Sequence, residues 1–148
     1  SLAAQLRAEG LPVTATADLE GAVREADLVS CATLSTTPIV KGEWLKAGAH
    51  LDLVGAFNLS MREADDEALR RGEVYVDTPA ARREGGDVAV ALKSGAIPES
   101  HLKGDLFPLC ASPPARTGEA ITVFKSVGAA LEDLAAAMLV WRRIGQTS

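Results

Sequence analysis

Short apolar runs alternate with amphipathic stretches along this chain, and the alternation predicts strands and helices in turn. Residues 28–32 are apolar and partly β-branched, the pattern of a strand in a parallel sheet, and residues 50–54 and 74–76 read as further strands. The run 28–32 is expected to be buried. Residues 13–16 suggest another short strand and 121–124 a last one. Between these lie helical patterns. Residues 1–9 place Leu2, Ala3 and Leu6 at helical spacing and stop at Gly10. Asp18 suits the N-cap of a helix over 19–26. Residues 42–45 predict one helical turn, and 62–71 a helix with Ala64 and Leu69 facing inward. Shorter helical pieces follow over 80–84, 88–92 and 106–110. The polar stretch 112–118, with Pro113 and Pro114, reads as a loop, and a long helix over 129–143 closes the chain. Alternating elements of this kind imply right-handed βαβ units and a mostly parallel sheet, with helices on both faces. Ligands of such sheets bind outside the carboxyl ends of the strands.

Composition narrows the picture. The 148 residues suit about one domain with a real core, and 47% apolar content argues against disorder. There are 15 basic and 20 acidic residues, net −5, mixed along the chain without a basic run. Nucleic acid is therefore not an expected partner. The longest apolar run contains Glu132 and Asp133, so it is too charged to span a membrane, and no signal-peptide pattern opens the chain. Cys31 and Cys110 form no spacing motif. They are expected as buried or partly buried free thiols in a reducing cytoplasm.

Three loops carry candidate chemistry. The first is Ala32-Thr33-Leu34-Ser35-Thr36-Thr37-Pro38, whose hydroxyls could meet a ligand or simply close a turn on their own backbone. The second is Leu53-Val54-Gly55-Ala56-Phe57, where glycine directly after a strand permits close approach to the backbone. The third lies in Ile121-Thr122-Val123-Phe124-Lys125-Ser126-Val127-Gly128, a strand ending in a polar turn ahead of the last helix. There Lys125 reads either as a cation near the site or as a solvated charge, and Ser126 as a ligand contact or the N-cap of that helix. If the last strand joins the sheet, all three loops face one crevice. Other polar residues have structural readings. His50 and His101 lack partners at ligand or triad spacing, and no metal site is expected. Glu63, Asp65, Asp66 and Glu67 read as the solvated start of a helix. Arg82, Arg83 and Glu84 read as surface, Trp44 and Trp141 as packing anchors, and Gly85-Gly86-Asp87 as a loop followed by a helix cap.

The run from Thr122 to Asp133, together with the first two loops in the same order, resembles the ornithine cyclodeaminase/mu-crystallin family. The resemblance covers most of the chain and implies the C-terminal half of such a protein. The fold implied is a partial Rossmann-type parallel sheet plus a C-terminal strand and long helix. Residues 1–111 would be the later part of the NAD(P)-binding domain, and 112–148 a segment returning to the substrate and dimerisation domain. No Gly-rich dinucleotide turn or ribose-reading residue occurs in the chain. The resemblance places both upstream of Leu2, along with the residues that grip a substrate carboxylate and the homodimer sheet.

The same resemblance implies NAD or NADP as cofactor. Thr33, Ser35, Val54, Gly55, Ala56, Phe57, Met61 and Ser126 would lie along it, and the backbone of Val127 would face the substrate. The cyclodeaminases carry an acid/base aspartate where this chain has Phe57, and a lysine where it has Met61. Phe57 cannot move a proton and meets an ammonium only weakly through its ring face. The implied reaction is thus reduction of a linear or cyclic imine of a small 2-oxo acid, with no proton-donating residue assignable in this chain. Ornithine cyclisation and a non-catalytic cofactor-binding role, as in mu-crystallin, are the alternatives.

Overall fold

Four-residue strands with apolar side chains at every second place form the centre of the molecule. The computed structural model describes residues 1–115 and 118–145. The strands are β1 (Leu28–Cys31), β2 (His50–Leu53), β3 (Glu73–Val76), β4 (Leu102–Asp105) and β5 (Thr122–Lys125). All pairings are parallel, in the order β1-β2-β5-β3-β4. The register sets Val29, Leu51, Val123 and Val74 in one row, and Cys31, Leu53, Lys125 and Val76 in the next. Side chains alternate across a strand, so both rows share one face. Apart from the partly buried Val29, these residues are buried. The opposite face carries His50, Asp52, Thr122, Phe124, Glu73 and Tyr75, all partly exposed.

The helices are α1 (Leu2–Ala8), α2 (Leu19–Glu25), α3 (Asp66–Arg71), α4 (Ala81–Glu84), α5 (Gly86–Ser94), α6 (Leu106–Ala111) and α7 (Ala130–Gly145), with 3-10 turns at Gly42–Trp44 and Glu99–His101. Ala68 and Leu69 of α3, Val88 and Ala91 of α5, and Leu45 after the first turn cover the buried face of the sheet. On the other face, Leu106 and Leu109 of α6 line a cavity with Tyr75 and Phe124. Short helices start at carboxylate caps. Asp18 accepts from Gly21 N–H, Asp65 from Ala68 N–H and Asp105 from Phe107 N–H. Each such cap is worth about 1 kcal/mol.

Several expectations are corrected. Residues 13–16 form no strand. The β-branched pattern is there, but no neighbouring strand pairs with it. Among the described residues no further strand lies beside β1, and Leu28 at its start is exposed rather than buried. β4 was not foreseen, because Lys103, Gly104 and Asp105 mask it. The helix expected from 62 begins only at Asp66, since Asp65 is the cap and Glu63 is held elsewhere. Trp44 does pack against the core, beneath Lys41, but Trp141 is 79% exposed on α7. The whole of α7 lacks a buried residue. Cys31 is buried but Cys110 is exposed, and both are free thiols. His101 is structural as expected, its Nε2 lying 2.7 Å from the Leu69 carbonyl. In the loop expected at 112–118, Arg116 and Thr117 lie outside the described residues. Among the described residues no helix is long and apolar enough to cross a membrane.

Candidate functional site

Because β1, β2, β5 and β3 are parallel neighbours, their carboxyl ends form one rim. The sheet bonding continues one residue past each pairing: Val54 N–H donates to Cys31 O (2.8 Å), Ser126 N–H to Leu53 O (3.0 Å) and Asp77 N–H to Lys125 O (3.1 Å). Ala32, Val54, Ser126 and Asp77 therefore stand side by side where the strands end. All three loops chosen from the sequence leave from this rim. Val54 and Phe57 expose 44% and 49% of their surface there, giving an apolar lip. Beyond β3 the rim leads into a cavity of about 290 Å³ lined by Asp77, Leu106, Phe107, Cys110 and Leu131.

The first two loops are joined by a residue read from the sequence as solvated. Glu63 is fully buried. Its Oε1 accepts from Thr33 N–H (2.5 Å) and Thr33 Oγ1 (2.8 Å), and its Oε2 from Gly55 N–H (2.8 Å) and Ala56 N–H (3.2 Å). Hydrogen bonds to a charged acceptor are worth about 1.5–3 kcal/mol each. Gly55 owes its lack of a side chain to this junction, because a Cβ there would strike the Thr33 backbone and the Glu63 carboxylate. The open approach expected at Gly55 is thus filled by protein atoms. Ser35 keeps to its own turn, donating to the Thr37 carbonyl at 2.6 Å. Met61 lies in the loop between β2 and α3, its carbonyl close to Gly86.

A second carboxylate sets the third loop. Asp77 is buried, and its Oδ2 accepts from Ser126 Oγ (3.1 Å), Val127 N–H (2.7 Å) and Gly128 N–H (2.7 Å). Gly128 takes φ +84, a left-handed conformation that favours glycine. The last helix starts at Ala130, so Ser126 is not its N-cap. The anion received by these N–H groups is the chain's own Asp77. The Val127 N–H is thus taken by Asp77, while its side chain lies against Gly85.

Beneath the rim, Lys125 is fully buried and not solvated. Its Nζ donates to Leu53 O at 3.0 Å and lies 3.8 Å from Asp87 Oδ2. Asp87 does not cap α5. Its Oδ1 accepts from Glu63 N–H (2.8 Å) and Ala64 N–H (3.0 Å), with Arg62 Nε at 3.8 Å. Burial lowers the Lys125 ammonium below its ordinary range, opposed by Asp87, Glu63, Asp77 and Asp52. Burial raises the Asp87 carboxyl, opposed by the Ala64 and Glu63 N–H groups, then by Lys125 and Arg62. The Cys31 thiol is pushed up to about 12, first by burial and then by Glu63 and Asp87.

The structure thus brings Thr33, Val54, Gly55, Ala56, Phe57, Ser126 and Val127 to one rim. It adds Glu63, Asp77 and Asp87, which the sequence reading passed over. For Glu63 a signal existed: taking Asp65 as the N-cap leaves Glu63 outside the helix, in a loop near the strand ends. Among the described residues no cluster of ligating side chains could hold a metal ion.

Comparison with known proteins agrees with this fold. A profile of the ornithine cyclodeaminase/mu-crystallin family matches residues 1–148. The ketimine reductase mu-crystallin of Mus musculus is 45% identical over 124 residues, covering 83% of this chain and 37% of that protein. The Δ1-pyrroline-2-carboxylate reductase of Thermococcus litoralis, solved with NADH and L-proline, superposes with a TM-score of 0.90 at 29% identity, over 98% of this chain and 46% of that one. An archaeal alanine dehydrogenase dimer with bound NAD gives 0.88 at 27% identity, over 98% and 46%. The chain spans 36% to 42% of the length of curated relatives it matches.

Proposed function

The chain belongs to the ornithine cyclodeaminase/mu-crystallin family, and on that premise we propose that the complete protein reduces the imine of a small 2-oxo acid with NADH or NADPH. One observation carries this reading. The loops after β1, β2 and β5 meet on a single rim, with Val54 and Phe57 presenting apolar surface there. That lip fits a flat nicotinamide ring, and the Ser126 hydroxyl fits its polar edge. The bound cofactor supplies the hydride. The protein's own part is to hold the ring against the imine carbon and to exclude water.

Phe57 narrows the reaction class. A side chain without an ionisable group at the rim cannot take a proton from a substrate amine. It favours an imine that arrives already formed over an amino acid that must first be oxidised and deaminated. The Gly-rich cofactor turn and the groups binding the substrate carboxylate belong to the part of the protein outside this chain. Residues 112–148 are the segment assigned to contact that part. The exposed Leu131, Leu134, Met138 and Trp141 along α7 support this assignment, and a homodimer would be completed there. Two unpaired thiols fit a reducing cytoplasm.

The test is NADH and NADPH oxidation by the complete protein with Δ1-pyrroline-2-carboxylate. Imine-dependent oxidation of either cofactor is expected. Ammonia release from ornithine without net cofactor change would instead make it a cyclodeaminase, and cofactor binding without turnover a carrier.

A further inference from the structure

We propose that Glu63 is a positioning residue of the crevice. Its carboxylate fixes the spacing of the Thr33 loop from the Gly55-Ala56 loop, and with it the seat of the nicotinamide ring. The proposal rests on the cofactor reading above and deepens it.

β1 and β2 stop pairing at Cys31 and Leu53, with Val54 N–H to Cys31 O as the last direct bond between them. Beyond that point Glu63 connects the two chains, each of its oxygens serving one loop. The carboxylate itself has little freedom. Its backbone N–H is held by Asp87, and its carbonyl accepts from Ile39 and Val40 N–H at 2.9 Å each. There is no slack at Gly55, where even a Cβ would collide with Thr33 and Glu63.

The chemistry of the clip is one-sided. Three backbone N–H groups and one hydroxyl all point at the carboxylate as donors. A glutamine would turn its NH2 toward one pair of donors and leave at least one backbone N–H there without an acceptor, so one loop would be held less firmly. An aspartate keeps both oxygens but falls short by one methylene, about 1.5 Å. Hydride transfer depends on reacting atoms held about 3–3.5 Å apart. Loosening one loop should therefore appear in the transfer step itself.

The complete protein is compared with its Glu63→Gln and Glu63→Asp variants, with Asp66→Asn as the control for loss of a nearby charge. Amide hydrogen exchange reads the clip without any cofactor. In Glu63→Gln either Thr33, or Gly55 and Ala56, should lose protection while the amides of α5 keep theirs. Single-turnover oxidation of NADH by Δ1-pyrroline-2-carboxylate should slow by about tenfold to a hundredfold. The isotope effect on the transferred hydrogen should rise, Glu63→Asp should fall between, and Asp66→Asn should match wild type. Unchanged protection at the three amides overturns the clip. Lost protection with wild-type transfer rate and isotope effect confines Glu63 to stability and overturns the positioning role. A wild type that reduces no imine removes the reaction assigned above, and NADH affinity by fluorescence then decides. At least tenfold weaker binding in Glu63→Gln is expected, whereas equal affinity, or no NADH binding by wild type, overturns the proposal.

Discussion

Lys125 Nζ lies 3.8 Å from Asp87 Oδ2, with both side chains shut away from solvent under the carboxyl ends of the sheet. The pair joins the central strand to α5. Removing Lys125 leaves Asp87 buried with only the Glu63 and Ala64 N–H groups and the Arg62 guanidinium at 3.8 Å to offset its charge, a loss of about 3 kcal/mol. Lys125→Met should lower the denaturation midpoint accordingly. The double variant Lys125→Met/Asp87→Asn should recover part of the loss, because the stranded charge is gone. A midpoint unchanged in the single variant would show that the pair contributes nothing.

The same variant carries a pH signature. Burial already raises the Asp87 carboxyl above 3.8, and Lys125 is one of the groups opposing that rise. Without Lys125 the folded state holds the Asp87 proton more tightly still. A group with a raised folded pKa favours folding fully below its unfolded value, and that contribution disappears as pH rises through the folded value. The stability gap between Lys125→Met and wild type should therefore narrow on going from about pH 7.5 to about pH 5. A gap that widens toward acid would contradict the assignment.

Asp77→Asn tests the third loop. Oδ2 takes donors from Ser126, Val127 and Gly128, while Oδ1 takes Thr78 N–H. An amide keeps a single acceptor oxygen, so one side of this arrangement must come undone. The expected loss is about 1–3 kcal/mol, with faster amide exchange at either Thr78 or Val127-Gly128. Equal protection at all of these amides would refute it.

Gly55→Ala should destabilise by about 1–3 kcal/mol through overpacking, because its Cβ meets the Thr33 backbone. Thermal unfolding with and without NADH separates the effects. A fall in the melting temperature without cofactor is expected. Weaker cofactor binding in a variant of wild-type stability would restore the simpler reading, in which this glycine opens the backbone to a ligand.

The cysteines should divide cleanly. Cys110 is exposed, while Cys31 is buried with its thiol pushed up to about 12. At about pH 8 a thiol reagent should modify Cys110 in the folded chain, and Cys31 only after denaturant is added. Rapid modification of both would mean that the buried row of the sheet opens readily.

Periodicity revealed what depends on local pattern. β2 and β3 were legible because Leu51, Leu53, Val74 and Val76 fall on one face of apolar runs. The helix beginning after Asp18 was legible from its cap. The order of strands was not, since nothing local tells β5 to enter between β2 and β3. β4 was hidden by Lys103 and Gly104, and its register shifts between Val74 and Tyr75. At the site, the loops were found through their glycine, hydroxyls and polar turn. Glu63 was misassigned because a charged residue among charged neighbours reads as solvated, and Lys125 stood open between a cation near the site and a solvated charge because nothing local decides between them. Their burial depends on partners distant in sequence: Thr33 for Glu63, and Leu53 and Asp87 for Lys125.

Of the five described strands β5 comes last in sequence yet lies between β2 and β3, and β2 touches β3 only through it. During synthesis the pairs β1-β2 and β3-β4 emerge from the ribosome first, each with an unpaired inner edge. Those edges can join only when residues 122–125 arrive between them. Non-local pairings of this kind form slowly and leave strand edges open to wrong partners. The nascent chain is thus vulnerable until residues 122–125 have been translated. The strand that ends the wait is the one bearing Lys125 and leading into Ser126, so the sheet closes and the third wall of the crevice is laid in a single event.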